Sequence, residues 1–330
     1  MEALRAKEIA KAVDGIILCG DENTRITSVG INSRNMETDS LFIPLIGERA
    51  DAHDYIEDAF HNGAAACFTG RDVILNKDKV YIRVEDTLKA LQALGTFYRS
   101  RFPMPVIGIT GSAGKTTTKE MVAAALGMKY NVLKTEGNMN SQVGLPLMML
   151  RMDSGHDIAV IEMGMSEEGE MAKLAEIAKP EAAVVTNIGV SHIAQLKTRE
   201  NILKEKLNII NSFDKGSVLF INGNDDLLSK LYKNDKNGTE SPNMCEQTRE
   251  KFLNADLTAF GTEEYCDYRA ENIRMAGGET RFILRKKQKP ELPLPNQSDN
   301  GTGFLGKRED SLPGDGEEII LKVLRRPHYS

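Results

Sequence analysis

The sequence predicts an α/β protein: a small N-terminal α/β unit followed by a larger, mostly parallel sheet. Three observations carry this reading. From residue 106 onward, short apolar runs alternate with helical patterns, as strands joined by crossover helices do. The first of these runs, Val106–Thr110, breaks into Gly111-Ser112-Ala113-Gly114-Lys115-Thr116-Thr117 and passes straight into a helical pattern. Before it, Phe102-Pro103-Met104-Pro105 has the composition of a linker, dividing residues 1–101 from residues 102–330.

The bulk properties fit two cores and exclude several classes. A chain of 330 residues is long enough for two domains. Its formal charge of −6 argues against a nucleic-acid partner, which needs a basic face. No apolar leader opens the sequence and no run is long enough to cross a bilayer, so no membrane insertion is expected. The four cysteines, Cys19, Cys67, Cys245 and Cys266, form no C-x-x-C pair and read as reduced thiols in a cytoplasmic protein.

In the first unit the spacing predicts a short amphipathic helix over 1–13, a strand over 26–32 and a buried strand over 39–47. A helix through Tyr55, Ile56, Ala59 and Phe60 stops at Gly63, strands follow at 64–68 and 80–84, and a helix covers 87–101. In the second unit, strands are expected at 106–110, 131–134, 158–162, 182–186, 217–221 and 257–260, with helices at 115–127, 169–178 and 200–211. Pro146 allows only a short helix around it. Extended segments at 268–275 and 280–285 suggest an antiparallel edge or subsheet, and 319–324 reads as one more strand. The polar stretches 235–249 and 286–317 are expected to be flexible loops, being too poor in apolar residues to order themselves.

Ligands of such sheets bind beyond the carboxyl ends of the strands. The Gly-rich turn fits a phosphate loop: backbone N–H groups of Gly111, Ser112, Ala113 and Gly114 and the helix start make an anion cradle. Lys115 adds charge on the outer phosphates, and Thr116, followed by Thr117, suits a Mg²⁺ ligand. Ile109 stands where the ordinary loop has its first glycine. The alternative is a plain strand-to-helix turn, but Gly-Lys-Thr at a helix start has no common structural purpose.

Glu162 ends a buried strand beside this loop and fits a Mg²⁺ ligand or water activator better than a helix cap. His192 follows the strand end at Thr186-Asn187; a lone histidine is usually structural, and its place on the ligand edge raises its interest. Asn138 and Asn140 lie after the second strand, on the same edge, and suit a polar substrate. Lys206 is, by itself, one charge on a helix face. Ser33-Arg34 fits a salt-bridged turn better than a diphosphate site when nothing else is considered.

Taken together, Gly111–Thr117, Glu136-Gly137-Asn138-Met139-Asn140, Glu162-Met163-Gly164, Thr186-Asn187-Ile188 with His192, and Glu205-Lys206 follow the order found in the Mur ligases. The chain resembles this family over nearly its whole length apart from the two polar stretches. Within the family, the wording is most similar to the member that joins D-alanyl-D-alanine to UDP-N-acetylmuramoyl-tripeptide. Thr116-Thr117-Thr118-Lys119-Glu120-Met121 and Gly144-Leu145-Pro146-Leu147 carry this, with Ser33-Arg34, Gly47 and Asp51-Ala52-His53 in the first unit.

The resemblance implies an ATP-dependent C–N ligase of peptidoglycan precursor synthesis that works through an acyl phosphate. It implies a UDP-muramoyl-substrate unit at 1–101 and a central ATP-binding unit at 102–330. Lys115 and the loop amides would hold ATP. Thr116 and Glu162 would bind one Mg²⁺, and His192 with a carbamylated Lys206 a second. Asn138 and Asn140 would face the muramoyl substrate, and Ser33 and Arg34 the uridine diphosphate. A cytoplasmic monomer is expected. The other readings are a different Mur ligase, a folylpolyglutamate synthase-like ligase, or an ATP- and UDP-sugar-binding protein without turnover.

Three departures from the family pattern stand out. Ser141 occupies a common Asn position, Glu205 precedes the lysine where a small residue is usual, and Tyr329 follows His328 where the family has Asn. The family's third domain has no counterpart before Ser330, so weak or no turnover is expected of this chain alone.

Overall fold

The computed structural model describes residues 1–48, 50–237, 244–276, 279–287 and 317–322. The chain packs as two compact units. One comprises Met1–Ile109 with Thr116–Pro180, the other Thr110–Lys115 with Glu181–Ser330.

In the first unit, a five-stranded sheet runs Ile16–Cys19, Val80–Arg83, Ala64–Thr69, Ser40–Phe42, Ser28–Gly30. Only its first pair is antiparallel. Leu4–Arg5 pairs separately with Arg25–Ile26, and the helix Ala6–Ala12 follows. The expected strand over 26–32 is thus split in two. The helix Ile56–His61 drops Ile56, Ala59 and Phe60 onto Phe42, Ala64, Cys67 and Tyr81 to form a core. That is the i, i+3, i+4 face its sequence promises.

The same unit holds three parallel strands in the order Val132–Lys134, Ile158–Glu162, Val106–Thr110. Ile158–Glu162 is buried at every position, as the continuous apolar run requires of a central parallel strand. The helix Thr87–Arg99, capped by Asp86 on the amides of Leu88 and Lys89, packs on the helix Gly144–Met149. The close approach is at Gly95, where a Cβ would stand 2.9 Å from Pro146 Cα. Buried Arg99 donates from Nε to the Ala178 carbonyl at 2.9 Å, at the end of the helix Glu170–Ala178. The Tyr98 hydroxyl donates to the Met152 carbonyl at 2.9 Å.

In the second unit the strand order is Ala182–Val185, Val218–Asn222, Asp256–Gly261, Tyr268–Ala276, Glu279–Lys286, Glu317–Lys322. The first four are parallel, and the last two add antiparallel, which is the expected edge. The helix Arg199–Leu207 begins at Thr198, whose side chain accepts the Asn201 amide, and continues as a 3-10 turn over Asn208–Ile210. The stretch expected as a loop at 235–249 is partly helical: 235–237 close the helix Asp226–Asn237 and 246–249 open the helix Glu246–Asn254. Residues 238–243 lie outside the described residues, as do 288–316 of the other expected loop, whose ends Lys286 and Glu317 belong to strands. His328 and Tyr329 lie outside them too. Among the described residues no helix is long and apolar enough to cross a membrane.

The Gly95–Pro146 contact sets the helix spacing. Gly95→Ala should lower stability by about 1–3 kcal/mol through overpacking, despite alanine's better helix propensity. Chemical denaturation reads this; a stabilised variant would show that the two helices separate freely.

Candidate functional site

The phosphate-loop residues lie at the start of the helix Lys115–Leu126, where the first N–H groups have no intrahelical acceptor. Gly111 adopts φ +150°, and a Cβ there would meet Thr186 Oγ1 at 1.8 Å, so no side chain fits. Gly114 has φ +78°. Asn187 clamps the loop: its carbonyl accepts the Ser112 amide at 3.0 Å and its Oδ1 the Ala113 amide at 2.8 Å. Thr186 Oγ1 donates to the Ala113 carbonyl at 2.6 Å. Two loop amides expected to face an anion are therefore engaged by protein. Those of Gly114, Lys115 and Thr116 lie at the helix opening, where an anion can be received. Lys115 Nζ folds back onto the Gly111 carbonyl at 3.0 Å, and the buried Ser112 hydroxyl has no hydrogen-bond partner among the described residues.

In the first unit, Glu162 is 3% exposed. Thr116 Oγ1 donates to its Oε2 at 2.8 Å, and Asn140 Nδ2 donates to its Oε1 at 2.8 Å. Thr135 Oγ1 accepts the Glu162 amide at 2.8 Å, and the Asn140 carbonyl accepts the Gly164 amide at 2.8 Å. Among the described residues no cation pairs with Glu162. A buried carboxylate held only by neutral donors is costly unless a cation joins it. Glu162 and Thr116, both oxygen ligands, suit a hard divalent ion. Asn140, expected to face substrate, spends its side-chain amide on this carboxylate. Asn138 is exposed in the turn between Glu136 and Asn140.

In the second unit, His192 is exposed and left-handed at φ 65°. Lys206 is 2% exposed, and burial pushes its ammonium down from 10.5 to about 7; the Lys115 charge pushes the same way and Glu205 opposes both. Glu205 is itself buried and accepts Asn208 Nδ2 at 3.0 Å. Among the described residues no three His, Cys, Asp or Glu side chains gather as a ready metal cluster.

A cavity of about 870 Å³ opens in the first unit, lined by Gly47, Asp51, His53, Arg71 and Thr87 among others. Ser33 and Arg34 do not line it. Ser33 is buried, with its carbonyl accepting Asn62 Nδ2, and Arg34 is exposed and pairs with no carboxylate among the described residues, so no salt-bridged turn is seen there. The Gly70 amide donates to His53 Nε2 at 2.9 Å, so the neutral ring carries its proton on Nδ1 and donates it to Asp51 at 2.6 Å. Burial pushes Asp51 up, but the His53 amide and ring, with Arg71, outweigh it and hold the carboxyl below its ordinary range. Arg71 bridges Asp51 and Asp54. Sequence reading missed Arg71, Asn187's clamp and the burial of Lys119, since none sits in a recognisable spacing.

Two family descriptions match: the Mur ligase middle domain over residues 109–286, and the Mur ligase family catalytic domain over residues 25–99. The chain belongs to the Mur ligase family. Among its relatives is the UDP-N-acetylmuramoyl-tripeptide–D-alanyl-D-alanine ligase of Bacillus subtilis, 41% identical over 84% of this chain and 57% of the relative. The Escherichia coli ligase of the same name is 34% identical over 82% and 57%. A crystal structure of MurF from Acinetobacter baumannii superposes with a TM-score of 0.74 at 28% identity, covering 87% of this chain and 59% of that one. MurF from Thermotoga maritima in complex with ADP gives 0.66 at 31%, covering 78% and 56%. The chain thus spans between half and three-fifths of the length of these Mur ligase relatives.

Lys206 makes a pH prediction. The folded state releases its proton near pH 7 and the unfolded chain near 10.5, so unfolding takes up a proton between the two. In CO₂-free buffer, stability should therefore rise with pH across that window, by about 5 kcal/mol at most. Lys206→Met should remove that rise. Parallel denaturation profiles for the two proteins would contradict the burial of a titrating amine.

Proposed function

We propose that this protein acts as an ATP-dependent ligase joining D-alanyl-D-alanine to UDP-N-acetylmuramoyl-tripeptide, a step of peptidoglycan precursor synthesis. One observation carries the reading. The residue after the loop lysine, Thr116, donates to a buried Glu162 that pairs with no cation among the described residues, so a phosphate cradle leads directly into an oxygen site for a divalent ion. The names of the relatives and the order of the motifs support the substrate assignment.

A carboxylate is a poor electrophile, so amide formation needs activation. The terminal carboxylate oxygen of the tripeptide attacks the γ-phosphorus of ATP, the P–O bond to ADP breaks, and an acyl phosphate forms. The D-alanyl-D-alanine amine then attacks the acyl carbon, the C–O bond breaks, phosphate leaves and the nitrogen loses a proton. Both partners of the first step are anions. Lys115 and the amides at the helix opening offset that repulsion and hold the phosphates in line. Mg²⁺, held by Thr116 and Glu162, would neutralise charge on the phosphates. A second ion would sit on His192 and a carbamate at Lys206. The low proton affinity of Lys206 favours that modification, because a neutral amine is the form that adds CO₂ with loss of a proton. Its carbamate would then be an anionic oxygen ligand.

Residues 1–101 serve as the UDP-sugar unit, with Ser33 and Arg34 toward the diphosphate, and residues 102–330 as the nucleotide unit. Asn138 faces the muramoyl group, and Asn140 holds Glu162. The enzyme works in the cytoplasm as a monomer.

In the protein as its cell makes it, phosphate release from ATP should require the UDP-muramoyl tripeptide and D-alanyl-D-alanine together. Lys115→Ala should lower it by about 10²–10³-fold. Release with D-glutamate in place of the dipeptide, or an unaffected variant, would overturn the assignment. Lys206→Ala should lose activity and regain part of it when a short carboxylic acid is added; full activity without the acid would exclude the carbamate.

A further inference from the structure

The first unit buries a second lysine that the proposed chemistry does not use. Lys119 lies one helical turn beyond Thr116 and is 2% exposed. Its Nζ donates to the Thr135 carbonyl at 2.7 Å and pairs with Glu120 at 3.0 Å. Glu120 in turn binds Lys134 Nζ, and this lysine is the chief reason its carboxyl lies below the ordinary range. Thr135 is also buried. Its amide donates to the Val160 carbonyl at 3.1 Å and its hydroxyl accepts the Glu162 amide. Thr135 is the last buried residue before the exposed turn Glu136-Gly137-Asn138, in which Gly137 adopts φ +50° and Glu136 pairs with Arg151.

Thr116 and Lys119 stand on one face of the helix, three residues apart. Thr116 reaches the Glu162 carboxylate, and Lys119 reaches Thr135, which holds the Glu162 amide. Asn140 closes the circuit by donating to the same carboxylate from the far end of the turn. The turn 136–139 is therefore strung between two residues that both answer to the helix following the phosphate loop. A packing role alone would be met by an apolar side chain. A buried ammonium instead carries a desolvation cost that its two oxygen partners offset, and it fixes one carbonyl in place.

We propose that Lys119 is a positioning residue that couples occupancy of the phosphate loop to the order of the 135–140 turn. The assignment of that turn to the muramoyl substrate rests on the proposed function; the coupling itself does not. When nucleotide engages the loop, the helix start is held, and Lys119 transmits that restraint to the Thr135 carbonyl. The coupling is reciprocal, so a ligand that orders the turn tightens nucleotide binding by the same factor.

The test is amide hydrogen exchange across 135–140 in the full chain, with and without Mg·ADP, for the wild type, Lys119→Met and Lys119→Arg. Met keeps the side-chain length without charge or donor; Arg keeps both. We expect Mg·ADP to slow exchange in the wild-type turn by about 5-fold or more, a typical coupling, and to leave the turn of Lys119→Met unchanged while that variant still binds nucleotide. Lys119→Arg should recover part of the effect and serves if Met fails to fold. Equal slowing in wild type and Met, or a wild type that binds Mg·ADP with no change of exchange in the turn, would overturn the coupling. A wild type that binds Mg·ADP but no UDP-muramoyl peptide would overturn the substrate assignment while leaving the Lys119 result readable. A wild type that binds no nucleotide would overturn both.

Discussion

The buried Glu162 carboxylate is the constraint on which the rest of the first unit depends. It ends a strand buried at every position, and each of its oxygens takes one neutral donor, from Thr116 and from Asn140. These donors come from elements on either side of the strand, so the cost of holding an anion out of water is met only if helix, turn and strand end all keep their places. The consequence is an oxygen site whose charge no cation among the described residues compensates. Thr135 and Lys119 extend the same logic one layer further out, fixing the backbone that presents Glu162.

The second unit shows the opposite electrostatic device. Lys206 is a buried amine, and burial lowers its proton affinity into the neutral range. Glu205, the departure from the family pattern, is turned inward and spends one oxygen on Asn208, and its pull on the lysine is smaller than the desolvation it opposes. A charged neighbour therefore does not prevent a neutral amine. The loop Gly111–Gly114 is held just as firmly, by Asn187 and Thr186, so the amides left at the helix opening are set in place before any ligand arrives.

Much of this was legible in the sequence because the signals were local. Val106–Thr110 and Ile158–Glu162 are continuous apolar runs closed by turn residues, and the structure forms them with those same bounds. The phosphate loop, the strand-end glutamate and the antiparallel edge also follow from spacing. What escaped was decided by tertiary contact. The helix Glu246–Asn254 buries only Thr248 and Phe252, too thin a stripe to rise above its charges. The helix Asp226–Asn237 does bury Leu228, Leu231 and Tyr232, but its charged face resembles a loop in composition. The strand Ile16–Cys19 sits at a sheet edge with Ile16 exposed, so its alternation is blurred. Lys119 looks like any solvated lysine until Thr135 is placed against it, and Asn140 looks like a substrate contact until Glu162 is.

The proposed function rests most heavily on Glu162 and Thr116 holding a divalent cation when nucleotide is bound. Titration of Mn²⁺ in the presence of ADP, followed by electron paramagnetic resonance, tests it most directly. The wild type should bind Mn²⁺ with nucleotide, and Glu162→Gln, which keeps the shape and removes the charge, should weaken that binding by about tenfold or more, a loss of about 1.4 kcal/mol. Equal Mn²⁺ affinity in the two proteins would contradict it.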